Sequence, residues 1–266
     1  MKIAKHLSII FLMTICASFI SCAQNTDTSF FTSPQKKWIL PSKLDEISGL
    51  TWYDKNTIAC VNDEKGNIYF YNIEEKEVTN KINFGKDGDY EGITYEKPFF
   101  YVINSKGKLY IINEKTEEVE KVQLPFTSEN DVEGLCMFDK KHLLVALKGK
   151  GGLNGKKADY KGIYKVEIAQ PDNIKLAYTL PKGLRVSPSG IYFDKKHKEV
   201  YILSHRSSQL FLLDSESGNI KETFALPKKI HAQPEGICLS NDGRIFISNE
   251  RGSQYNAKLY QFQFNR

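Results

Sequence analysis

Acidic side chains recur in this sequence within a five-residue motif that occurs five times. The motif has a polar residue three before a glycine, a second polar residue one before it, and an aliphatic residue after it. Its copies span residues 46–50, 89–93, 131–135, 187–191 and 233–237. The two polar positions are two residues apart, so their side chains point the same way in extended chain. Paired carboxylates of this kind can bind a hard cation such as calcium.

The spacing of the motif predicts the elements that carry it. Its glycines fall at 49, 92, 134, 190 and 236, so successive copies are 43, 42, 56 and 46 residues apart. A repeat in the forties with strand-like segments between the copies is typical of β-propeller blades. In the first repeat, apolar runs alternate with turn residues and predict four short antiparallel strands. The sequence therefore predicts an all-β, five-bladed β-propeller over residues 36–266.

The two ends of the propeller segment supply complementary parts of one blade. Three repeats end their fourth strand on Leu-Pro, at residues 124–125, 180–181 and 226–227. The fifth repeat stops after its third strand, and the orphan segment 38–41 ahead of the first repeat carries the missing Leu-Pro ending. We therefore expect this N-terminal strand to complete the last blade, which pairs an otherwise open edge.

Hairpin geometry should bring the acidic residues to one mouth of the central channel. The start of the first strand and the end of the second lie at the same end of a hairpin, and the innermost strands line the axis. The carboxylates expected at this mouth are Glu46, Asp63, Asp89, Glu91, Asp131, Glu133, Glu235 and Glu250. Groups this close cannot all ionise without a counter-charge.

Two solutions are open for these carboxylates. Calcium could bind a subset of them, with backbone carbonyls and water completing six to eight ligands. Alternatively, each acid accepts backbone hydrogen bonds or pairs with a basic side chain and so braces its loop. The five histidines show no spaced pair, which argues against a transition metal.

Basic residues are expected at the same rim, beside Asp63, Asp89 and Asp131. Lys148 begins a glycine- and lysine-rich insertion, residues 148–162, that accounts for the 56-residue step. This segment could close over an anionic ligand as a lid, or it could be a solvated, variable loop. His205 and Arg206 could act as general base and anion ligand or simply be exposed. No Ser-His-Asp set or Gly-x-Ser-x-Gly motif is evident, so we assign no catalytic residue.

The first 21 residues have the features of a targeting segment. Lys2 and Lys5 precede an apolar stretch, residues 7–20, that is too short for a convincing membrane span. Residues 19–22 resemble a bacterial lipobox and predict a lipoprotein-type signal peptide over 1–21, with cleavage before Cys22 and acylation of its thiol. Plain secretory cleavage nearby is the alternative. Residues 22–35 then form a flexible polar tether to the membrane of the cell envelope, on its periplasmic side or at the cell surface.

Charge and cysteine content exclude several classes of protein. From Cys22 onward the chain has 35 basic and 32 acidic residues, which leaves no concentrated basic stripe and argues against a nucleic-acid partner. Cys60, Cys136 and Cys238 are an odd number in that segment, which excludes a complete intrachain disulfide framework. We expect buried thiols and a monomer.

Taken together, the motifs resemble the SdiA-regulated, YjiK-like family. The similarity rests on the five copies, on Leu203-Ser204 and on Ser248-Asn249-Glu250, and runs from Trp38 to Phe264. It implies a five-bladed propeller distantly related to NHL-repeat proteins, an envelope location and a calcium site. The family's acidic positions correspond here to Glu46, Glu91, Glu133, Glu235 and Glu250. Ser187-Pro188 and Lys148 depart from the family pattern, because acidic residues are common at both places.

Three functions are compatible with these observations. The leading hypothesis is a lipid-anchored propeller that binds a small molecule or a protein at a calcium-loaded mouth, without chemistry. The alternative is a calcium-dependent hydrolase of the lactonase or phosphoesterase type, since a bound cation can activate water and polarise an ester. In the third, the acids only brace the loops of a scaffold. The sequence does not identify the ligand.

Overall fold

Short apolar runs separated by Asn, Asp and Gly turns fold into five sheets, one for each copy of the motif. The computed structural model describes residues 26–27, 30–253 and 255–263. These residues form strands β1 to β21 and four 3-10 helices of three residues each. The 3-10 helices are Phe30–Thr32, Ser42–Leu44, Leu153–Gly155 and Lys182–Leu184.

Each sheet is one blade built on antiparallel strands, and in blades 1 to 4 the four antiparallel strands follow chain order from the axis outward. Blade 1 contains β3 (Ile47–Asp54), β4 (Thr57–Asn62), β5 (Asn67–Asn72) and β6 (Glu77–Asn83). Blade 2 contains β7 (Tyr90–Glu96), β8 (Phe99–Asn104), β9 (Lys108–Asn113) and β10 (Val119–Gln123). Blade 3 contains β11 (Val132–Asp139), β12 (His142–Leu147), β13 (Tyr160–Glu167) and β14 (Gln170–Pro181). Blade 4 contains β15 (Pro188–Asp194), β16 (Glu199–Ser204), β17 (Gln209–Asp214) and β18 (Ile220–Ala225).

Blade 5 joins the two ends of the chain and confirms the predicted closure. It contains β19 (Pro234–Leu239), β20 (Arg244–Asn249), β21 (Lys258–Gln263) and, as its outer strand, β2 (Lys36–Ile39). Trp38 pairs with Leu259 across the antiparallel β2–β21 ladder. The Trp38 indole N–H also donates to the Ile73 carbonyl at 2.7 Å, which ties blade 5 to blade 1.

Part of the segment predicted as a flexible tether is integrated into the propeller. β1 (Thr26–Asp27) pairs in parallel with β18 and adds a fifth strand to blade 4. Phe31 is fully buried in a hydrophobic cluster formed by blades 4 and 5. Burial of an aromatic ring stabilises this attachment, and the polar composition of the segment concealed it. The predicted signal peptide and Cys22 lie outside the described residues.

The five motif glycines form the tightest ring of contacts around the axis, where innermost strands of neighbouring blades touch. A Cβ atom on Gly49 would lie 2.9 Å from the Gly92 Cα, and one on Gly190 would lie 2.5 Å from the Glu235 carbonyl oxygen. Only glycine permits this approach. The space left at the ring is about 10 Å³, which holds at most about one water. The channel is therefore closed here, and its mouth is a cup.

The core consists of hydrophobic clusters that fill the spaces between adjacent blades. Cys60, Cys136 and Cys238 lie in these clusters as free, buried thiols, as predicted. Burial raises the pKa of the Cys60 and Cys136 thiols far above their ordinary range, which keeps them protonated and inert. Among the described residues, no helix has the length and apolar character needed to cross a membrane.

Candidate functional site

The ends of the hairpins meet at one mouth of the channel, as the sequence predicts. In four blades, the residue after the second strand donates its backbone N–H to the carbonyl of the first polar motif residue. These bonds are Asp63 to Glu46 at 3.1 Å, Ser105 to Asp89 at 2.9 Å, Lys148 to Asp131 at 2.8 Å and Glu250 to Gln233 at 3.0 Å. Each bond fixes one motif loop against its own hairpin and points the motif side chains toward the axis.

The mouth encloses a cavity of about 200 Å³ above the glycine ring. Ile47, Ser48 and Gln233 form part of its wall, and one lysine, Lys148, reaches it. Five carboxylates line the remainder: Asp63, Glu91, Glu133, Glu235 and Glu250. Of the eight carboxylates expected at the mouth, these five therefore line its cavity.

One side of the mouth carries a compact group of three carboxylates, from Glu46, Asp63 and Glu250. One oxygen from each lies within 4.8 Å of the other two, and among the described residues this is the group whose donors could share a metal ion. The Asp63 Oδ1 atom is buried and has no hydrogen-bond partner. The half-exposed guanidinium of Arg251 lies 3.8 Å from Glu46, measured from Nη2.

Crowding in this group opposes ionisation. Burial, a hydrogen bond with Glu46 and the charge of Glu235 raise the pKa of Glu250 to about 9. Burial and the charges of Glu46, Glu64 and Asp89 raise the pKa of Asp63 to about 6. Both shifts indicate negative charge without a matching counter-charge.

A different arrangement occupies the other side of the mouth, where Lys148 pairs with Glu133. The Lys148 Nζ atom lies 2.6 Å from Glu133 Oε1. Burial raises the pKa of Glu133, and the ammonium group offsets part of that shift, which leaves the pKa at about 8. Burial lowers the pKa of Lys148, but attraction to Glu133 outweighs it and raises the pKa to about 12. Beside this pair, burial, the charge of Glu133 and a hydrogen bond with Asp89 raise the pKa of Glu91 to about 10.

The remaining predicted rim residues divide between the mouth and its surroundings. Asp89 accepts a hydrogen bond from the Ser105 hydroxyl. His205 Nδ1 lies 3.4 Å from Glu235 Oε1, so the histidine of blade 4 contacts the motif glutamate of blade 5. Arg206 is exposed, and neither it nor Asp131 lines the cavity. Asp131 instead has a left-handed backbone, with φ of 51°, at the start of its motif.

The glycine-rich insertion of blade 3 is held in place by specific hydrogen bonds. Its anchor is Asn130, which is fully buried and donates to the carbonyls of Lys150 at 2.8 Å and Gly152 at 2.6 Å. The Lys161 ammonium donates to the Gly149 carbonyl at 2.7 Å, and the Tyr164 hydroxyl donates to the Gly151 carbonyl at 2.8 Å. These contacts do not support a mobile lid. The sequence analysis did not predict this anchoring role of Asn130. The position of Asn130 next to Asp131 is the one signal in the sequence that could have pointed to it.

Sequence reasoning also missed the reason why two motif copies have serine before the glycine. The Ser48 hydroxyl donates to the Tyr90 carbonyl of blade 2, and the Ser189 hydroxyl donates to the Pro234 carbonyl of blade 5 at 2.7 Å. These serines join neighbouring blades, whereas Glu91, Glu133 and Glu235 at the same motif position bring carboxylates to the cavity, whose wall Ser48 shares. The motif therefore serves both structural and chemical roles.

The three-carboxylate group has donors that fit calcium. Calcium–oxygen distances of about 2.4 Å allow two ligand oxygens to lie up to about 4.8 Å apart, and the oxygens of Glu46, Asp63 and Glu250 lie within 4.8 Å of one another. All three donors are hard carboxylate oxygens, and the orphaned Asp63 Oδ1 lacks a partner that a cation would supply. Glu91, Glu133 and Glu235 line the same cavity but lie outside this group.

These features define the class of the molecule as a five-bladed β-propeller with an acidic cup at one end of its axis. A family model described as SdiA-regulated matches residues 33–257, and the chain belongs to that family. No curated protein matches the chain.

Solved structures share the fold at low sequence identity. Glutaminyl cyclase from Myxococcus xanthus aligns over 87% of this chain and 95% of its own, with a TM-score of 0.64 and 14% identity. A luciferin-regenerating enzyme aligns over 88% of this chain and 96% of its own, with a TM-score of 0.55 and 11% identity. A chain of a nidogen/laminin complex aligns over 76% of this chain and 72% of its own, with a TM-score of 0.53 and 11% identity.

Proposed function

We propose that this protein is an envelope-anchored propeller that binds calcium in its acidic cup and uses the bound cation to capture a ligand. The observation that carries the proposal is the convergence of Glu46, Asp63 and Glu250 with a buried, unpartnered oxygen on Asp63. Calcium would remove the mutual repulsion that burial intensifies in this group. Of the five residues to which the family resemblance assigns the metal site, this proposal keeps Glu46 and Glu250 and adds Asp63.

The size of the cup limits what the ligand can insert. Calcium has six to eight coordination positions, and three carboxylates leave several of them for water and for oxygen atoms of a ligand. The cavity of about 200 Å³ is smaller than the 300 to 1,000 Å³ typical of pockets that enclose a whole small molecule. We therefore favour a ligand that inserts one oxygen-bearing group, such as a carboxylate or hydroxyl, while the rest of it lies on the rim.

Calcium titration followed by thermal unfolding tests this proposal. A site saturated 100-fold above its Kd stabilises the folded state by about 2.7 kcal/mol, equivalent to about 5–10 °C for a domain of this size. We expect Glu250→Gln to abolish the shift, because it removes one ligand and one charge. Glu64→Gln is the matched control, since Glu64 is an exposed acid next to Asp63. A shift that is absent from the wild type, or unchanged in Glu250→Gln, contradicts the proposal.

A calcium-dependent hydrolase is the second candidate. The observation in its favour is that Glu91 and Glu133 line the same cavity as Asp63 and Glu250, where a carboxyl group could act as a general acid or base. A panel of lactones and phosphoesters tests it. Calcium-dependent turnover that is lost in Glu133→Gln would favour the enzyme. Calcium binding without turnover would favour the binding protein.

Membrane attachment through Cys22 is part of the same proposal. Its support is the lysine-bearing apolar segment that ends at Ser21-Cys22. Intact-mass measurement of protein purified from membranes tests it. We expect the mass of a lipid on Cys22 in the wild type and no such mass in Cys22→Ser. An unmodified mature N-terminus in the wild type would contradict membrane attachment through Cys22.

A further inference from the structure

The N-terminal segment is attached to the outer edge of blade 4. Thr26 pairs with Thr223 and Asp27 with Phe224, both in parallel register on β18. Phe31 then buries its ring, 5.5 Å from that of Phe224 and 5.0 Å from that of Phe262. The first described residues of the chain therefore lie at the rim of blade 4, four positions after Cys22 in the sequence.

The parallel pairing sets the direction from which the chain arrives. In a parallel ladder, the residues before Thr26 lie toward the start of the partner strand, which is Ile220. That end of blade 4 is remote from the acidic cup. β15 starts at the cup with the motif, and each hairpin reverses direction, so the fourth strand, β18, starts at the opposite end.

A groove opens on the outer rim at the start of β18. Its volume is about 960 Å³, and it lies between β14 of blade 3 and the turn that leads from β17 into β18. The Tyr178 hydroxyl donates to the Ser215 carbonyl at 2.8 Å and links the two walls. Apolar residues supply much of the lining: Leu176, Ala177, Pro181, Leu184 and Ile220. No charged residue is among the described residues that line it, and Leu176 is 43% exposed.

We propose that this groove receives an acyl chain carried by Cys22, an inference that rests on the proposed membrane anchoring. Four residues span at most about 14 Å, and the distance along β18 from Thr223 to Ile220 is about 10 Å. The modified cysteine can therefore reach the groove when the chain continues along the blade edge. The described lining residues carry no charge and are partly apolar, and a surface of this size and character favours a hydrocarbon chain over a charged ligand.

A photoreactive fatty acid supplied to cells that express the full chain tests the proposal. After irradiation and purification, mass spectrometry maps the crosslinks from the Cys22 lipid. We expect crosslinks concentrated in residues 176–184 and 217–220. Leu176→Asp should lower their yield several-fold, because a charge in the groove opposes entry of hydrocarbon.

Ile39→Asp is the matched control, since Ile39 is also an exposed aliphatic residue on an outer strand, at 58% exposure. It should leave the crosslink yield unchanged, and thermal unfolding checks that both variants fold. Crosslinks confined to membrane lipid or scattered over other blades, with lipid present on Cys22, would overturn the groove proposal alone. An unmodified Cys22 would overturn the anchoring and the groove together.

Discussion

The two sides of the acidic cup solve the same electrostatic problem differently. On one side, Lys148 lies 2.6 Å from the buried Glu133 and supplies an internal counter-charge. On the other, Glu46, Asp63 and Glu250 approach one another with only a half-exposed arginine nearby, 3.8 Å from Glu46. A buried carboxylate needs a partner. One side has this partner within the chain, and on the other side we propose that calcium supplies it.

Lys148 stands at a place where the family resemblance implies an acidic residue, and the two sides of the cup show what the lysine does there. Lys148 and Glu250 are equivalent, since each follows the second strand of its blade and donates its backbone N–H to the motif. A lysine at this place closes one half of the cup to cations by occupying it with an ammonium group. A glutamate at the same place in blade 5 adds a donor to the other half.

A lysine placed in the three-carboxylate group should remove the difference between the two sides of the cup. Of the changes predicted here, we expect it to have the largest effect. Glu250→Lys places an ammonium group beside Glu46 and Asp63, as Lys148 stands beside Glu133. We expect calcium affinity to fall by about 100-fold or more, equivalent to about 2.8 kcal/mol, because a donor is lost and a positive charge is added. Isothermal titration calorimetry measures this change.

Glu129→Lys controls for the added charge, because Glu129 is an exposed acid outside the cup. It should leave calcium affinity within about twofold of the wild type, since exposed charges beyond a Debye length of about 8 Å are screened. Equal losses in the two variants would show that net charge alone decides affinity, and that the three-carboxylate group has no special role.

Removing Lys148 should convert the first side into a copy of the second. Lys148→Met leaves the buried Glu133 without its ion pair. Breaking a buried pair costs about 3–5 kcal/mol, and we expect about 1–3 kcal/mol because Lys148 is 43% exposed. Urea unfolding measures this loss.

The exposed pair of Lys150 and Glu129 provides the comparison for this variant. Lys150→Met should change stability by less than about 1 kcal/mol. Adding Glu133→Gln to Lys148→Met should recover much of the loss, because the unpaired charge disappears. A double variant as unstable as Lys148→Met would mean that packing of the lysine stem, not its charge, stabilises this side.

Asp63→Asn should change stability in opposite directions without and with calcium. Without calcium, we expect the variant to be about 1 kcal/mol more stable than the wild type, because a buried charged oxygen without a partner becomes a neutral amide. With calcium in excess, the wild type should be the more stable protein. Thermal unfolding with calcium and with chelator gives both values. Destabilisation in both conditions would contradict the role assigned to Asp63.

The pH dependence of the calcium-free protein tests the three-carboxylate group without a substitution. The folded-state pKa of Glu250 is raised to about 9 and that of Asp63 to about 6. A raised carboxyl pKa means that the folded state binds the proton more tightly than the unfolded state does. Proton binding therefore stabilises the fold fully below the unfolded-state pKa, near 4. This stabilisation is lost as the pH rises through the folded-state pKa.

Stability without calcium should therefore fall between about pH 5 and pH 9, by at most about 1.4 kcal/mol per pH unit for each group. Chelator-treated protein followed by thermal unfolding across this range tests the slope. Glu250→Gln and saturating calcium should each make the slope shallower, and the raised pKa values of Glu91 and Glu133 account for the slope that remains. A calcium-free protein whose stability rises over the same range would show that the group is compensated without a cation.

Much of the architecture could be predicted because it is encoded in short-range pattern. The glycine spacing predicted five blades, and the Leu-Pro endings with the orphan segment at 38–41 predicted a closing strand. The structure confirms both predictions. The convergence of the motifs on one mouth follows from strand direction alone. The insertion in blade 3 was located correctly, but its anchoring by Asn130 depends on contacts across about 20 residues that no local pattern marks.

The sequence by itself determined the number of blades, the strand that closes the ring and the end of the axis where acidic residues gather, since each depends on repeat spacing and strand alternation. Only the tertiary structure decided which carboxylates meet. Glu250 joins Glu46 and Asp63 because closure of the ring sets blade 5 beside blade 1, across nearly the whole length of the chain. It also decided that Phe31 packs between blades 4 and 5. Side-chain separations of a few ångströms depend on blade twist and packing, and repeat spacing does not contain that information.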